Sequence, residues 1–355
     1  MSRSLQGTIE QQFETFGANR IFVSGKGFQG PGTMSNGLTM KDVETIEKIS
    51  GFKYITPGLF RSAEVIYNKE KGFTLVGGLP AEQYSEFLAD TGVEMQAGRA
   101  IKDNEKYVAI IGSRVAEKMF SKELSVGNRI KINKVDFKIV GIVKEIGNAQ
   151  DDNQISIPLD TAREIFNEPE SVDTIIVQVK SSSDILAIQE KIEKGLERKR
   201  GDTNFEVVTA SQILEQINQV LGVMQIVLVG IAAISLLVGA IGIMNSMYTS
   251  VLERTKEIGI MKAIGARNPD ILWIFLIEAG MIGLVGGILG TALGAGMALA
   301  VGPIAKQAGF PMIISLEVSV LLFGLLFAFI VGMISGILPA YQASKLKPVD
   351  ALRYE

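Results

Sequence analysis

Three long apolar runs occupy the last 140 residues of the chain, at 216–252, 279–305 and 318–344, and no charged residue interrupts any of them. Each exceeds the roughly 20 apolar residues that cross a hydrocarbon core of about 30 Å. Packed inside a water-soluble protein, three such runs would need a large amphipathic shell, and the chain does not supply one. The pattern therefore predicts three membrane-spanning helices.

Ahead of them the period shortens. Strands are predicted around 20–24, 53–56, 60–67 and 73–77, then around 107–111, 129–132, 137–144 and 154–157, with helices over 113–120 and 160–166. A strand, helix and strand follow over 173–180, 184–196 and 205–208. Thr39 and Asp42 form a capping box for a helix with Val43, Ile46 and Ile49 on one face. The last strand–helix–strand unit repeats the arrangement around Thr39. It predicts a discontinuous first lobe, 19–84 with 170–208, and an inserted second lobe, 85–169.

The junction at 209 joins the two halves. Thr209 and Gln212 form another capping box, and Ile213, Leu214, Ile217, Val220 and Leu221 carry a helical apolar face into the first span. No proline interrupts 209–248, so about 60 Å of helix is expected, roughly twice a hydrocarbon core. The segment 209–252 is thus stalk plus span. It is followed by a polar segment at 253–270, spans at 271–305 and 317–345, and a tail at 346–355.

Charge orients this arrangement. Arg254, Lys256, Lys262 and Arg267 lie in 253–270, Lys345, Lys347 and Arg353 in the tail, and Lys306 is the one base between the last two spans. By the positive-inside bias the polar segment and the C-terminus face the cytoplasm, and the N-terminal domain lies outside a cell membrane crossed several times. Export of that domain calls for a hydrophobic helix ahead of it. Leu5, Ile9, Phe13 and Phe16 recur at helical spacing before Gly17, so 1–18 is expected to be a stalk helix ending a further, first span.

Composition removes much chemistry. The net charge of −3 gives no reason to expect nucleic acid as a partner. With no histidine and no cysteine, disulfides, Cys/His zinc sites, Ser-His-acid triads and cysteine nucleophiles are excluded. Gly25, Gly27 and Gly30 match a dinucleotide fingerprint, yet Pro31 and Gly32 follow where a helix should begin, so a surface loop is expected. Asp151 and Asp152 read as part of a solvated turn. A Walker phosphate loop is absent, so no catalytic, cofactor or metal residue is expected, and any ATP is used by a separate subunit.

The segment Glu253-Arg-Thr-Lys-Glu-Ile-Gly-Ile-Met-Lys-Ala-Ile-Gly-Ala266 is amphipathic, with Ile258, Met261 and Ile264 roughly on one face. Three acids balance four bases over 253–270, which suits docking into a protein groove better than lying on lipid headgroups. Within the spans, Gly286, Gly290 and Gly294, and Gly332 with Gly336, recur every four residues. Such spacing lets helices approach closely, within one subunit or across a dimer. Asn245 is placed to hydrogen-bond between helices. Glu278 is expected to be paired structurally, with no second intramembrane acid to form a proton relay.

That segment, with Gly239-Ala-Ile-Gly-Ile-Met-Asn245 before it and Pro348-Val-Asp-Ala-Leu-Arg-Tyr-Glu355 at the end, resembles ABC-transporter permeases of the MacB/FtsX type. The resemblance covers essentially the whole chain. It implies a membrane α-helical protein of four spans, three of them seen here, with an α+β extracytoplasmic domain of two lobes. It further implies a homodimer over two separate ATPase subunits, docked on Glu253, Arg254, Glu257, Ile258, Gly259, Met261, Lys262, Gly265 and Ala266. Closure of the ATPase would move the stalks by mechanotransmission, for export or extraction of an outer client, with or without an extracytoplasmic adaptor. The alternative is an FtsX-like signalling permease that controls an outer enzyme. A membrane-anchored enzyme is the third class, and no residues speak for it.

Overall fold

The computed structural model describes residues 19–27, 37–147, 149–180, 184–307 and 317–352, and the chain's main division falls between Gln219 and Val220. The helix expected over Leu5–Phe16 and most of the loop after Gly27 lie outside the described residues.

The first lobe begins with β1 (Arg20–Gly25), in which Ile21 and Val23 are fully buried and Phe22 and Ser24 are not. After β2 (Leu38–Thr39) comes α1 (Met40–Glu47), capped as expected: Thr39 N donates to Asp42 Oδ2 at 2.8 Å. Next, β3 (Phe52–Tyr67) runs unbroken for 16 residues and turns into β4 (Glu70–Leu79). Asn68 and Lys69 both take positive φ, as a two-residue hairpin turn between right-twisted strands requires. Then follow α2 (Ala81–Thr91), β5 (Met95–Gly98), β6 (Val108–Ile111), α3 (Ser113–Lys118), β7 (Arg129–Ile132) and β8 (Val135–Val143). The unit continues with α4 (Ala149–Asp152), β9 (Ile155–Pro158), α5 (Leu159–Phe166), β10 (Ser171–Val172), β11 (Thr174–Val179), α6 (Ile185–Arg200) and β12 (Phe205–Thr209).

In the first lobe β12, β1, β11 and the start of β3 pair antiparallel, and α1 and α6 cover the sheet. Ile188, Ile192 and Leu196 make the buried stripe of α6, Arg198 to Arg200 sit favourably at its carbonyl end, and Gly201 ends it at φ +73. The second lobe is a closed ring, β3–β4–β9–β6–β8–β7 and back to β3, with parallel pairing at β4/β9 and β6/β8. Leu59, Val65, Val76, Ile130, Phe137 and Ile155 fill it. Ring closure leaves none of these six strands as a bare edge.

The two cores change over at Gly58–Leu59, inside β3, and not near residue 84, because a single strand serves both lobes. Asp173 pins the crossing. Its Oδ2 accepts from Phe60 N and from Arg61 Nη1, each at 2.7 Å, while its own N–H donates to Gly58 O at 2.9 Å. Arg61 also pairs with Glu168. Burial pushes the Asp173 carboxyl up from its ordinary value, against the pull of Phe60 N and Arg61. Elements α2 and β5 lie beyond the predicted ones. Asp152, expected in a solvated turn, is buried and accepts from Ile146 N at 2.8 Å and Gly147 N at 3.0 Å.

The second unit is helical: α7 (Ala210–Glu253), α8 (Thr255–Ala263), α9 (Asn268–Gln307), α10 (Val318–Ser344) and α11 (Pro348–Leu352). Among the described residues three helices are long and apolar enough to cross a membrane, at Ala210–Glu253, Asn268–Pro303 and Val318–Ser344. Thr209 and Gln212 cap the start of α7 reciprocally, with bonds of 2.9 and 3.2 Å.

Close packing joins α9 to α10. A Cβ on Gly332 would lie 2.6 Å from Ala279 O and 3.0 Å from Gly283 Cα, and one on Gly336 would lie 2.3 Å from Ala279 Cβ. Their partners on α9 are therefore Ala279 and Gly283, together with Gly280 and Gly287 against Phe329 and Ala328. Gly286, Gly290 and Gly294 have open space around them. The two glycine stripes do not meet each other.

Candidate functional site

One compact apolar cluster ties the four longer helical elements of the second unit together at the end where 253–270 lies. Met247 and Val251 of α7, Ile258 of α8, Ile271 and Phe275 of α9, and Ala340 and Ala343 of α10 form it. Between α7 and α8 the chain bends at Arg254 without losing its hydrogen bonds: Arg254 N donates to Ser250 O and Ile258 N to Arg254 O, both at 3.0 Å. The Thr255 hydroxyl donates to Val251 O at 2.9 Å, which satisfies a buried side chain at the bend.

Gly265 closes the segment. Its φ of +110 suits glycine, and Ala266 N returns to Met261 O at 3.0 Å. Asp270 then accepts from Arg267 N at 2.9 Å as α9 begins.

Lys262 fastens three elements at once. Its Nζ donates to Asn268 Oδ1 at 2.9 Å, Ser344 O at 2.5 Å and Leu346 O at 2.7 Å. Three ammonium hydrogens meet three acceptors, two of them carbonyls at or just past the end of α10 that lack helical partners. A cation there also complements the helix dipole. Burial pulls the Lys262 pKa below its ordinary 10.5. Beside it, α11 packs on α8 with Ala351 buried and Pro348 half-buried.

The expected docking residues divide between two surroundings. Ile258 and Gly259 are buried, Met261 and Ala266 half-buried in the cluster, and Lys262 is spent on the bonds above. Glu253, Arg254, Glu257 and Gly265 are exposed, and Arg254 Nη1 pairs with Glu278 at 3.3 Å. Ile264 leaves the face shared with Ile258 because α8 ends at Ala263, and it is 83 % exposed. Ile260, not singled out by the pattern, is 51 % exposed, and Val349 of α11 is 76 % exposed. Asn245 faces outward, its carbonyl accepting from the Thr249 hydroxyl at 3.3 Å. Among the described residues no group of three acids is placed to hold a metal.

At the other end of α7, within the first unit, Gln189 Nε2 donates to Val207 O at 2.8 Å and Gln212 Oε1 at 3.0 Å. They line a polar groove of about 400 Å³ with Glu215, Gln216 and Gln219.

Residues 1–194 match the MacB-like periplasmic core domain family, and residues 229–348 match the FtsX-like permease C-terminal family. The chain is 40 % identical to an uncharacterized ABC transporter permease of Methanocaldococcus jannaschii, over 99 % of this chain and 88 % of that one. It is 36 % identical to the macrolide export ATP-binding/permease protein MacB of Bdellovibrio bacteriovorus, over 98 % of this chain, and it spans 55 % of that relative's length. The crystal structure of the periplasmic region of MacB from Actinobacillus actinomycetemcomitans shares the fold, with a TM-score of 0.51 at 16 % identity, over 59 % of this chain and 98 % of that one.

Proposed function

The chain belongs to the ABC transporter permeases of the MacB/FtsX type, and from that premise we propose that it relays motion from an ATP-binding subunit in the cytoplasm to its mixed α/β domain outside the membrane. Family membership implies the ATP-binding partner. Mechanotransmission in the service of export is the finer reading, and the observation that supports it most is the length of α7. It is one uninterrupted helix of 44 residues, about 66 Å at 1.5 Å per residue, against a hydrocarbon core of about 30 Å. A hydrogen-bonded rod carries displacement along its axis with little loss. A string of short segments would absorb it.

In this reading two copies act together over two ATP-binding subunits, and the exposed Glu257 and Ile260 of α8, with Ile264 just past its end, receive the push. The macrolide export named for the MacB relative favours export over signalling to an outer enzyme. The cargo itself belongs to that relative.

The absence of cysteine makes a direct test simple. A spin label on Phe73→Cys, an exposed position of the outer domain, reports the distance between copies in the reconstituted complex. ATP is expected to shift that distance. Gly222→Pro, at a stalk position with open space around it, should abolish the shift while ATP turnover persists, since a mid-helix proline removes one hydrogen bond and kinks the rod. An ATP-driven shift that survives Gly222→Pro would end the rigid-rod account.

A further inference from the structure

The five residues of α11 cannot hold a helix alone, because one turn costs more conformational freedom than its few hydrogen bonds return. What holds it is α8. Ala351 is buried, Pro348 at the first helical position is half-buried, and Leu346 joins the cluster that contains Ile258. Lys262 adds a polar fastening through Ser344 O and Leu346 O. The described part of the tail, through Leu352, is therefore held in one platform with α8.

The platform exposes apolar side chains on both of its elements. Ile260 on α8, Ile264 just past its end and Val349 on α11 are all more than half exposed. Charges of both signs in the same short segments are exposed too: Lys256 and Glu257 on α8, Lys347 just before α11 and Asp350 on it. A surface built for anionic headgroups would be uniformly basic. Exposed apolar residues interspersed along the chain with charges of both signs match a protein partner. The MacB relative, named as both ATP-binding and permease, is nearly twice as long as this chain, so the partner chemistry for this type of permease is an ATP-binding domain.

The geometry points to a composite docking surface, in which α11 contacts the ATP-binding subunit beside α8 and Lys262 keeps the two elements in register. This rests on the reading that α8 meets that subunit at the cytoplasmic face. It goes further by assigning the tail a share of the contact and Lys262 a positioning role, away from the partner.

Photo-crosslinking of the full chain in complex with its ATP-binding subunit tests it. Benzoylphenylalanine would be placed singly at Ile264 and at Val349, both exposed enough to accept it. Adducts to the ATP-binding subunit are expected from both positions. Lys262→Met keeps the aliphatic stem and removes the donor. It should lower the Val349 adduct about tenfold relative to the Ile264 adduct, which doubles as the control for folding. An adduct from Ile264 alone, or a lipid adduct from Val349, would overturn the composite surface and leave the docking of α8 standing. Equal adducts in Lys262→Met would overturn the positioning role. No adduct from either position, in a complex that retains the subunit, would remove the docking reading and this inference with it.

Discussion

Arg254 Nη1 lies 3.3 Å from Oε1 of Glu278, and the Ser250 hydroxyl donates to the same oxygen at 3.3 Å. The one acid in the hydrophobic stretch of α9 is thus paired with the residue at which α7 bends into α8. The Arg254 side chain is half exposed, so the pair is worth about 1 kcal/mol or less. Arg254→Ala should lower the thermal midpoint of the detergent-solubilised protein slightly, more at low salt than at high salt, and Glu278→Gln added to it should restore most of the loss. A loss indifferent to salt would show that the pair contributes nothing by charge.

Ile258 and Ile264 lie six residues apart and should respond in opposite ways to aspartate. Ile258 is fully buried in the cluster, so Ile258→Asp places an unpaired carboxylate in an apolar site and should cost several kcal/mol, seen as loss of monodisperse protein. Ile264→Asp should leave folding within about 0.5 kcal/mol and reduce co-purified ATP-binding subunit about tenfold. Well-folded Ile258→Asp protein would contradict the packing described.

The two glycine stripes separate in the same way. Gly332→Ala puts a methyl group against the backbone of Ala279 and Gly283, and should cost about 1–3 kcal/mol of thermal stability in detergent. Gly290→Ala meets open space and should be neutral. If the open stripe joins two copies, Gly290→Leu will shift the purified protein toward monomer on light scattering; an unchanged mass assigns that face to lipid.

At the junction of the lobes, Asp173→Ala orphans Phe60 N and one arm of Arg61. The Asp173 carboxylate is almost fully buried, so a loss of about 3 kcal/mol is expected. Amide exchange should accelerate across the β3–β11 ladder around Gly58–Thr174. Exchange rates matching the unaltered protein would show that the crossing is held by packing alone.

Glu105 gives a pH signature. Arg99 donates to both of its oxygens, at 2.6 and 2.8 Å, and holds its carboxyl down at about 2 against an ordinary 4.5. A lowered carboxyl stabilises the fold above the unfolded value and loses that contribution as pH falls toward the folded one. Between about pH 4.5 and 2 the second lobe should weaken, and Glu105→Gln should flatten that part of the acid-unfolding curve. A curve of unchanged slope would sink the assignment.

What the sequence determined by itself is local. An apolar run long enough to span shows in any window, so the three spans were legible, and the family with them, because its motif is continuous over 253–266. The capping boxes at Thr39 and Thr209 were legible too, since a cap and its partner stand three residues apart. What only the tertiary structure decided depends on distant partners. Gly332 packs on Gly283 while Gly286, Gly290 and Gly294 stay open, although all share one spacing. Ile258 turns inward and Ile264 outward because a helix end falls between them. One strand, β3, serves two cores, since Asp173, more than a hundred residues further on, fixes its crossing. Lys262, expected from the sequence to be a docking charge, is committed to carbonyls about eighty residues away. Periodicity names a residue's own helix face, and burial depends on what the rest of the chain brings to it.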